Sequence, residues 1–217
     1  MALSKVNFNS MNVTPAASKA IKFNSSNNGL ETGDIGGSLV LIDTVTVTNA
    51  GNITFDGSLA TGFTSTYKEY IFKLIDIHPV TDSVKYAFQV DTSGNTNYNQ
   101  SITSTFFRAA QDESATTDFG YKTAEDQANG TSMQTLCGTI GNDNDQSLSG
   151  TLHIFNPTST TFVKHFLSRV HGYTHNNYSI DDYAAGYINT TTAITRIRFK
   201  FASGNIDAGT FKLYGVS

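Results

Sequence analysis

From Ser38 onward the chain keeps returning to a period of two, apolar then polar, and this period restricts its fold more than any other feature. Ser38–Thr48 opens with the aliphatic run Leu39-Val40-Leu41-Ile42 and continues as Val45-Thr46-Val47-Thr48, a strand first buried and then one-sided. Asn49-Ala50-Gly51 predicts a turn, with Asn52–Asp56 returning as the hairpin partner. Further strands are predicted over Tyr67–Ile77, stopped by His78-Pro79, and over Ser83–Asp91, Ser101–Arg108, Leu136–Ile140 and Gly150–Phe155. Thr161–Val170, Ala184–Ile188, Thr195–Phe201 and Thr210–Val216 complete the set. About ten strands at short, fairly even spacing, without heptads or β–α alternation, predict an all-β protein, an antiparallel β-sandwich of jelly-roll type. Composition agrees. Only 15% of residues are charged, against about 25% in ordinary domains, so Ser, Thr and Asn must supply the polar surface, and these favour turns and strand edges over helices.

Two segments fall outside the period. Asp112–Gly130 is polar and acidic and reads as a long surface loop with at most one helical turn. Residues 1–36 mix a few apolar residues with small polar ones, and include Asn24-Ser-Ser-Asn-Asn-Gly29 and Gly36-Gly37. Such a segment buries too little surface to fold alone. It reads as an extended N-terminal arm for attachment or assembly, packed on a neighbouring subunit or partner, ahead of a single β-sandwich domain over 37–217.

Composition also excludes several classes of function. A net charge of −4 and a pI near 5.6 leave no electrostatic footprint for nucleic acid. The one basic alternation, Arg196-Ile197-Arg198-Phe199-Lys200, reads as the polar face of a strand. Cys137 is alone, so an intrachain disulfide is impossible, and it reads as a small buried apolar position. No stretch approaches the roughly 18 apolar residues of a membrane span, and the N-terminus has neither the basic start nor the apolar run of a signal peptide. A soluble protein made in a cytoplasm, without membrane insertion, is expected.

The closing run Phe199-Lys-Phe-Ala-Ser-Gly204-Asn205-Ile206-Asp-Ala-Gly209-Thr-Phe-Lys-Leu213-Tyr214-Gly215 resembles the last motif of a family of virion structural and tail-fibre-like proteins from marine phages, especially those of cyanobacteria. Gly36–Ile42, Tyr67–Tyr70, Ile77-His78-Pro79, Gly141–Asp145, Leu152–Pro157 and Phe162–Phe166 resemble it too, so the likeness spans most of the chain from Ser38. The resemblance implies a non-enzymatic virion protein, assembled in the host cytoplasm: a homotrimeric tail-fibre or receptor-binding component that meets a glycan or protein on the host surface. The alternative is a capsid decoration protein clamping the shell through residues 1–36. Other virion proteins, of tail or capsid, are the implied partners. Without the family, the motif predicts tight turns at Ser203-Gly204-Asn205 and Asp207-Ala208-Gly209, folding back strands that bury Phe199, Phe201, Phe211 and Leu213 on one face.

The residues that carry chemistry are few. His171 and His175 have helical spacing but sit among Gly172, Asn176 and Asn177, which read as loop; His153 and His165 fall on neighbouring predicted strands. Asn142-Asp143-Asn144-Asp145 lacks the glycine and closing glutamate of a calcium loop and reads as a solvated turn. Asp181-Asp182 and Asp112-Glu113 are the pairs one would test as glycosidase carboxylates. No nucleophile elbow, phosphate loop or dinucleotide fingerprint occurs, so no enzyme, cofactor or metal site is expected. The recognition candidate is the run His171–Tyr183, read as an aromatic loop at an exposed end of the sandwich, opposite the arm. Tyr173, His175, Asn177, Tyr178, Asp181, Asp182 and Tyr183 combine flat apolar faces with hydrogen-bonding groups.

Overall fold

Residues 19–26, 28–33, 39–57 and 62–216 are described in a computed structural model. The chain divides into two units, residues 1–38 and 39–217. In the first, β1 (Ala20–Phe23) and β2 (Leu30–Gly33) form an antiparallel hairpin with Phe23 opposite Leu30. Asn24 closes it: its backbone N–H donates to the Gly29 carbonyl at 2.9 Å, and its Oδ1 accepts from the Asn28 N–H at 3.2 Å. Part of the expected arm therefore has regular structure, though two strands alone are marginal in water. Phe23 is 71% exposed. The rest of the arm, and any neighbour it meets, lies outside the described residues.

The second unit is all-β, with no helix among its described residues. Its strands are β3 (Leu39–Ala50), β4 (Ile53–Phe55), β5 (Glu69–Pro79), β6 (Val84–Thr92), β7 (Ile102–Asp112), β8 (Thr117–Tyr121), β9 (Gln134–Ile140), β10 (Leu148–Phe155), β11 (Lys164–Tyr173), β12 (Tyr178–Ile188), β13 (Ile194–Phe201) and β14 (Ile206–Val216). They form an eight-stranded sheet, ordered β3-β14-β5-β10-β11-β12-β7-β8, and a four-stranded sheet, ordered β4-β13-β6-β9, every pairing antiparallel.

The sheets pack face to face as a sandwich, and strand parity decides what lies between them. Along β11 buried and exposed residues alternate almost without fault. Phe55, Phe88 and Phe199 of the small sheet meet Phe72, Phe166 and Phe211 of the large one, with ring centroids 5.1–5.5 Å apart for Phe55–Phe72, Phe72–Phe199, Phe88–Phe166 and Phe199–Phe211. Phe199, Phe201, Phe211 and Leu213 are all fully buried, but they come from two facing sheets rather than from one face of one sheet.

Several local expectations are corrected by the pairing. Ile53–Phe55 does not return against the strand before it; β4 lies in the other sheet and pairs with β13. Asn49, at φ +49°, lies just before the last residue of β3, and the chain passes to the other sheet over Gly51 and Asn52. Ser203-Gly204-Asn205 does turn, with Gly204 at φ +70°, but Asp207-Ala208-Gly209 lies inside β14 as a bulge. Gly209 has φ +140°, and a Cβ there would lie 2.6 Å from Ile77 Cδ1 and 2.9 Å from its Cα, so the close approach of β5 demands glycine. The stretch expected as one long loop, Asp112–Gly130, contains β8. The loop that follows is tied inward by buried amides. Gln134 Nε2 donates to the Glu125 carbonyl and Gln89 Nε2 to the Ser132 carbonyl, each at 3.0 Å.

Two insertions decide where a site can lie. β7–β8 interrupts the chain between β6 and β9, and β11–β12 interrupts it between β10 and β13; both hairpins join the large sheet and meet where β12 pairs with β7. Replacing Phe199 by Ala removes a ring in contact with five others and should cost about 3–5 kcal/mol. Phe119→Ala, 75% exposed on β8, should cost less than about 0.5 kcal/mol. Urea unfolding of the two variants measures the difference.

Candidate recognition face

The run expected to be an aromatic loop is a hairpin. Only residues 174–177 lie outside strands, between β11 and β12. Parity then separates the candidate residues: Asp181 and Tyr183 point outward, and Asp182 points between the sheets.

Asp182 is wholly buried. Arg108, its direct partner on β7, donates from Nε to Oδ1 at 2.6 Å and from Nη2 to Oδ2 at 2.7 Å. The Gly138 N–H of β9 adds a bond to Oδ2 at 3.0 Å across the sandwich. Burial lifts the Asp182 carboxyl above its ordinary range, and Arg108 opposes the lift. Burial lowers the Arg108 guanidinium, but Asp182 outweighs that and holds it above its ordinary value. Burial also pushes the neighbouring Cys137 thiol well up, away from the thiolate that would react. Gly138 leaves room for the guanidinium, since a Cβ there would lie 2.4 Å from Arg108 Nη2. Asp182 is thus part of the interior and not of a recognition surface. Asp181 and Asp182, on opposite faces of one sheet, cannot flank a common substrate as glycosidase carboxylates must.

The turn is held firmly. Gln146, buried, donates to the Thr174 carbonyl at 3.0 Å, the Asn177 N–H bonds the same carbonyl at 2.9 Å, and Asn177 sits at φ +62°. His175 is half-buried, with Nδ1 3.4 Å from the Thr139 carbonyl oxygen and Nε2 3.5 Å from Ser83 Oγ. Tyr178 packs against the core. Tyr173 and Asn177 line a groove with Asp112, Glu113 and His171, whose Nε2 lies 2.9 Å from Ser179 Oγ. His171 and His175 are not brought together as ligands, and no group of three His, Cys, Asp or Glu suited to a metal occurs among the described residues.

The outer face beside this hairpin carries the larger surface. Register aligns Tyr121, Phe107, Tyr183, Arg169 and Thr151 directly across β8, β7, β12, β11 and β10. Phe107 and Tyr183 stack at 4.6 Å with planes 6° apart, and the Arg169 guanidinium lies 5.1 Å over the Tyr183 ring. Both faces of Tyr183 are therefore taken, and what it offers a partner is its edge. Its hydroxyl donates to Asp181 Oδ2 at 3.0 Å, and Arg169 Nη2 donates to the same oxygen at 2.7 Å. Burial raises the Asp181 carboxyl, but these donors outweigh it and hold it below its ordinary value. A mainly apolar groove of about 370 Å³ runs alongside, between Phe107, Tyr183 and Arg169 and the His153–Leu167 pair. Leu167 and Tyr121 are each 52% exposed.

Sequence reasoning missed Phe107 and Phe119, which reach this face only through pairing between insertions, and Leu167 and Arg169, which join it through the pairing of β11 with β10 and β12. It also missed Lys164, fully buried, whose Nζ donates to the carbonyls of Thr190 and Thr192 at 2.9 and 2.8 Å; burial lowers its pKa. No protein-family model matches the chain, and no curated protein matches it.

Arg108→Met leaves Asp182 buried and uncompensated and should cost about 3–5 kcal/mol, much of it recovered when Asp182→Leu is added. Asp181→Asn breaks only the exposed pair and should cost at most about 1 kcal/mol. Denaturant titration of the three variants checks the order.

Proposed function

We propose that this chain is a non-enzymatic structural protein of a phage particle, a tail-fibre or receptor-binding component that meets the host surface with the outer face of its eight-stranded sheet. The strand order supports a jelly roll. Without the two inserted hairpins, β3-β14-β5-β10 faces β4-β13-β6-β9, the double Greek key common in capsid and lectin domains. The fold alone does not define the task; the face does. The observation that carries the reading is the group of exposed apolar side chains, Phe119, Tyr121 and Leu167, beside the rigid Arg169–Tyr183–Phe107 stack. A monomer has no folding reason to hold such a patch in water, whereas a recognition surface does. Residues 1–36 then serve attachment to other virion proteins, within the homotrimer that the family resemblance implies. The exposed Phe23 of the hairpin favours the second reading, a decoration protein clamping the capsid, since that ring also needs a cover.

Particles carrying Leu167→Glu with Phe119→Ser separate the two readings. Both side chains lie outside the core, so assembly should proceed. Adsorption to host cells, measured as free particles over time, should fall at least tenfold. Unchanged adsorption with fragile capsids would replace the fibre by the decoration protein.

A further inference from the structure

The outer row continues beyond Thr151. Register sets Lys73 of β5 opposite Thr151, Lys212 of β14 opposite Lys73, and Thr44 of β3 opposite Lys212. Two lysines directly opposite in an antiparallel pair have Cβ atoms about 4.5–5.5 Å apart and repel. Their neighbours on the same face do nothing to relieve this. Along the row stand Thr151 and Thr44, on one side Ile71 and Tyr214, and on the other Ile75 and Thr210. None is acidic, in a chain where Asp and Glu outnumber Lys and Arg by 18 to 14. Lys73 is exposed, and its Nζ lies 5.7 Å over the Tyr214 ring, which holds the charge above the sheet with no carboxylate partner among the described residues. About 10 Å further on, two strand spacings away, stands Arg169, shared with Asp181.

We infer that this row binds a linear anionic polysaccharide laid across the strands, with its sulfate or carboxylate groups on Lys73 and Lys212 and its chain running past Arg169 toward the Tyr183–Phe107 stack. The inference deepens the recognition reading and rests on it. Charge complementarity selects the occupant. The outer face also carries Glu69, held by His153, and Asp181, so a flat anionic bilayer pressed on the face would meet carboxylates as well as lysines. A linear polymer confined to one row avoids Glu69 and meets Asp181 only where Arg169 already neutralises it. Two adjacent cations on a chain of net charge −4 are also far short of the phosphate contacts that hold a nucleic acid.

The test uses the purified full chain with dextran sulfate as probe and uncharged dextran as its control. Lys73→Gln with Lys212→Gln should weaken dextran sulfate binding about tenfold, flatten its salt dependence, and leave the melting temperature within a degree or two. Lys68→Gln with Lys200→Gln, equal in charge but off the row, should leave binding unchanged. Equal loss in both double variants, or equal binding of the two dextrans, overturns the inference. So does capture of phosphatidylglycerol vesicles through Lys73 and Lys212 at the affinity of the polymer, since the occupant is then a lipid surface. The recognition reading is judged separately, by adsorption of the Leu167/Phe119 particles, so either can fail while the other stands.

Discussion

β12 lies against β7 from Tyr178–Asp112 to Ile188–Ile102 without a register shift, and the outer face beyond β10 depends on that ladder. The two strands come from separate insertions, so bringing them together costs loop-closure entropy that no local turn offsets. Register here must be set by side chains. Arg108 and Asp182 are direct partners in the ladder, and their ion pair faces inward. A slip of one residue would send Asp182 to solvent and set against Arg108 either Tyr183 or Asp181, the latter drawn away from Arg169. The buried pair therefore acts as a register lock for this seam, a better use of such a pair than net stability. Phe107 stacked on Tyr183 closes the same seam from outside.

Much of the sandwich was legible in the sequence, because its strands are one-sided. Ile197–Phe201 alternates as written, and Cys137 falls where a small apolar residue fits. What was not legible has physical causes. Thr117–Tyr121 is an edge strand without a buried face, so nothing in it alternates and it looks like loop. His171–Tyr183 looks like loop because Gly172, Asn176 and Asn177 carry turn chemistry, though only four residues actually turn. Within it, an inward aspartate breaks the apolar period, and the arginine that makes it tolerable is 74 residues away. Lys164 hid for the same reason, since its partners are carbonyls of a later loop.

The candidate face was half visible. Tyr183 and Asp181 were singled out from the sequence and do stand on it, but as parts of a closed stack and an ion pair. Of the side chains left exposed for a partner, Leu167 stands beside Tyr183 through the β11–β12 hairpin, whereas Phe119 and Tyr121 reach it only through β12–β7 pairing. A pairing across insertions is a non-local fact, and a linear scan has no access to it.

The parity of β10, β11 and β12 has a consequence for how the protein changes over generations. Residues at alternate positions answer to different masters: Leu152, Val170 and Asp182 to the interior, Thr151, Arg169 and Asp181 to whatever lies outside. Outward positions can be re-lettered one by one while the interior stays intact, so a lineage can drift from one surface chemistry to another through intermediates that all still fold. A sheet face offers that freedom without the entropy of a long loop, because each new side chain arrives already aimed and already rigid.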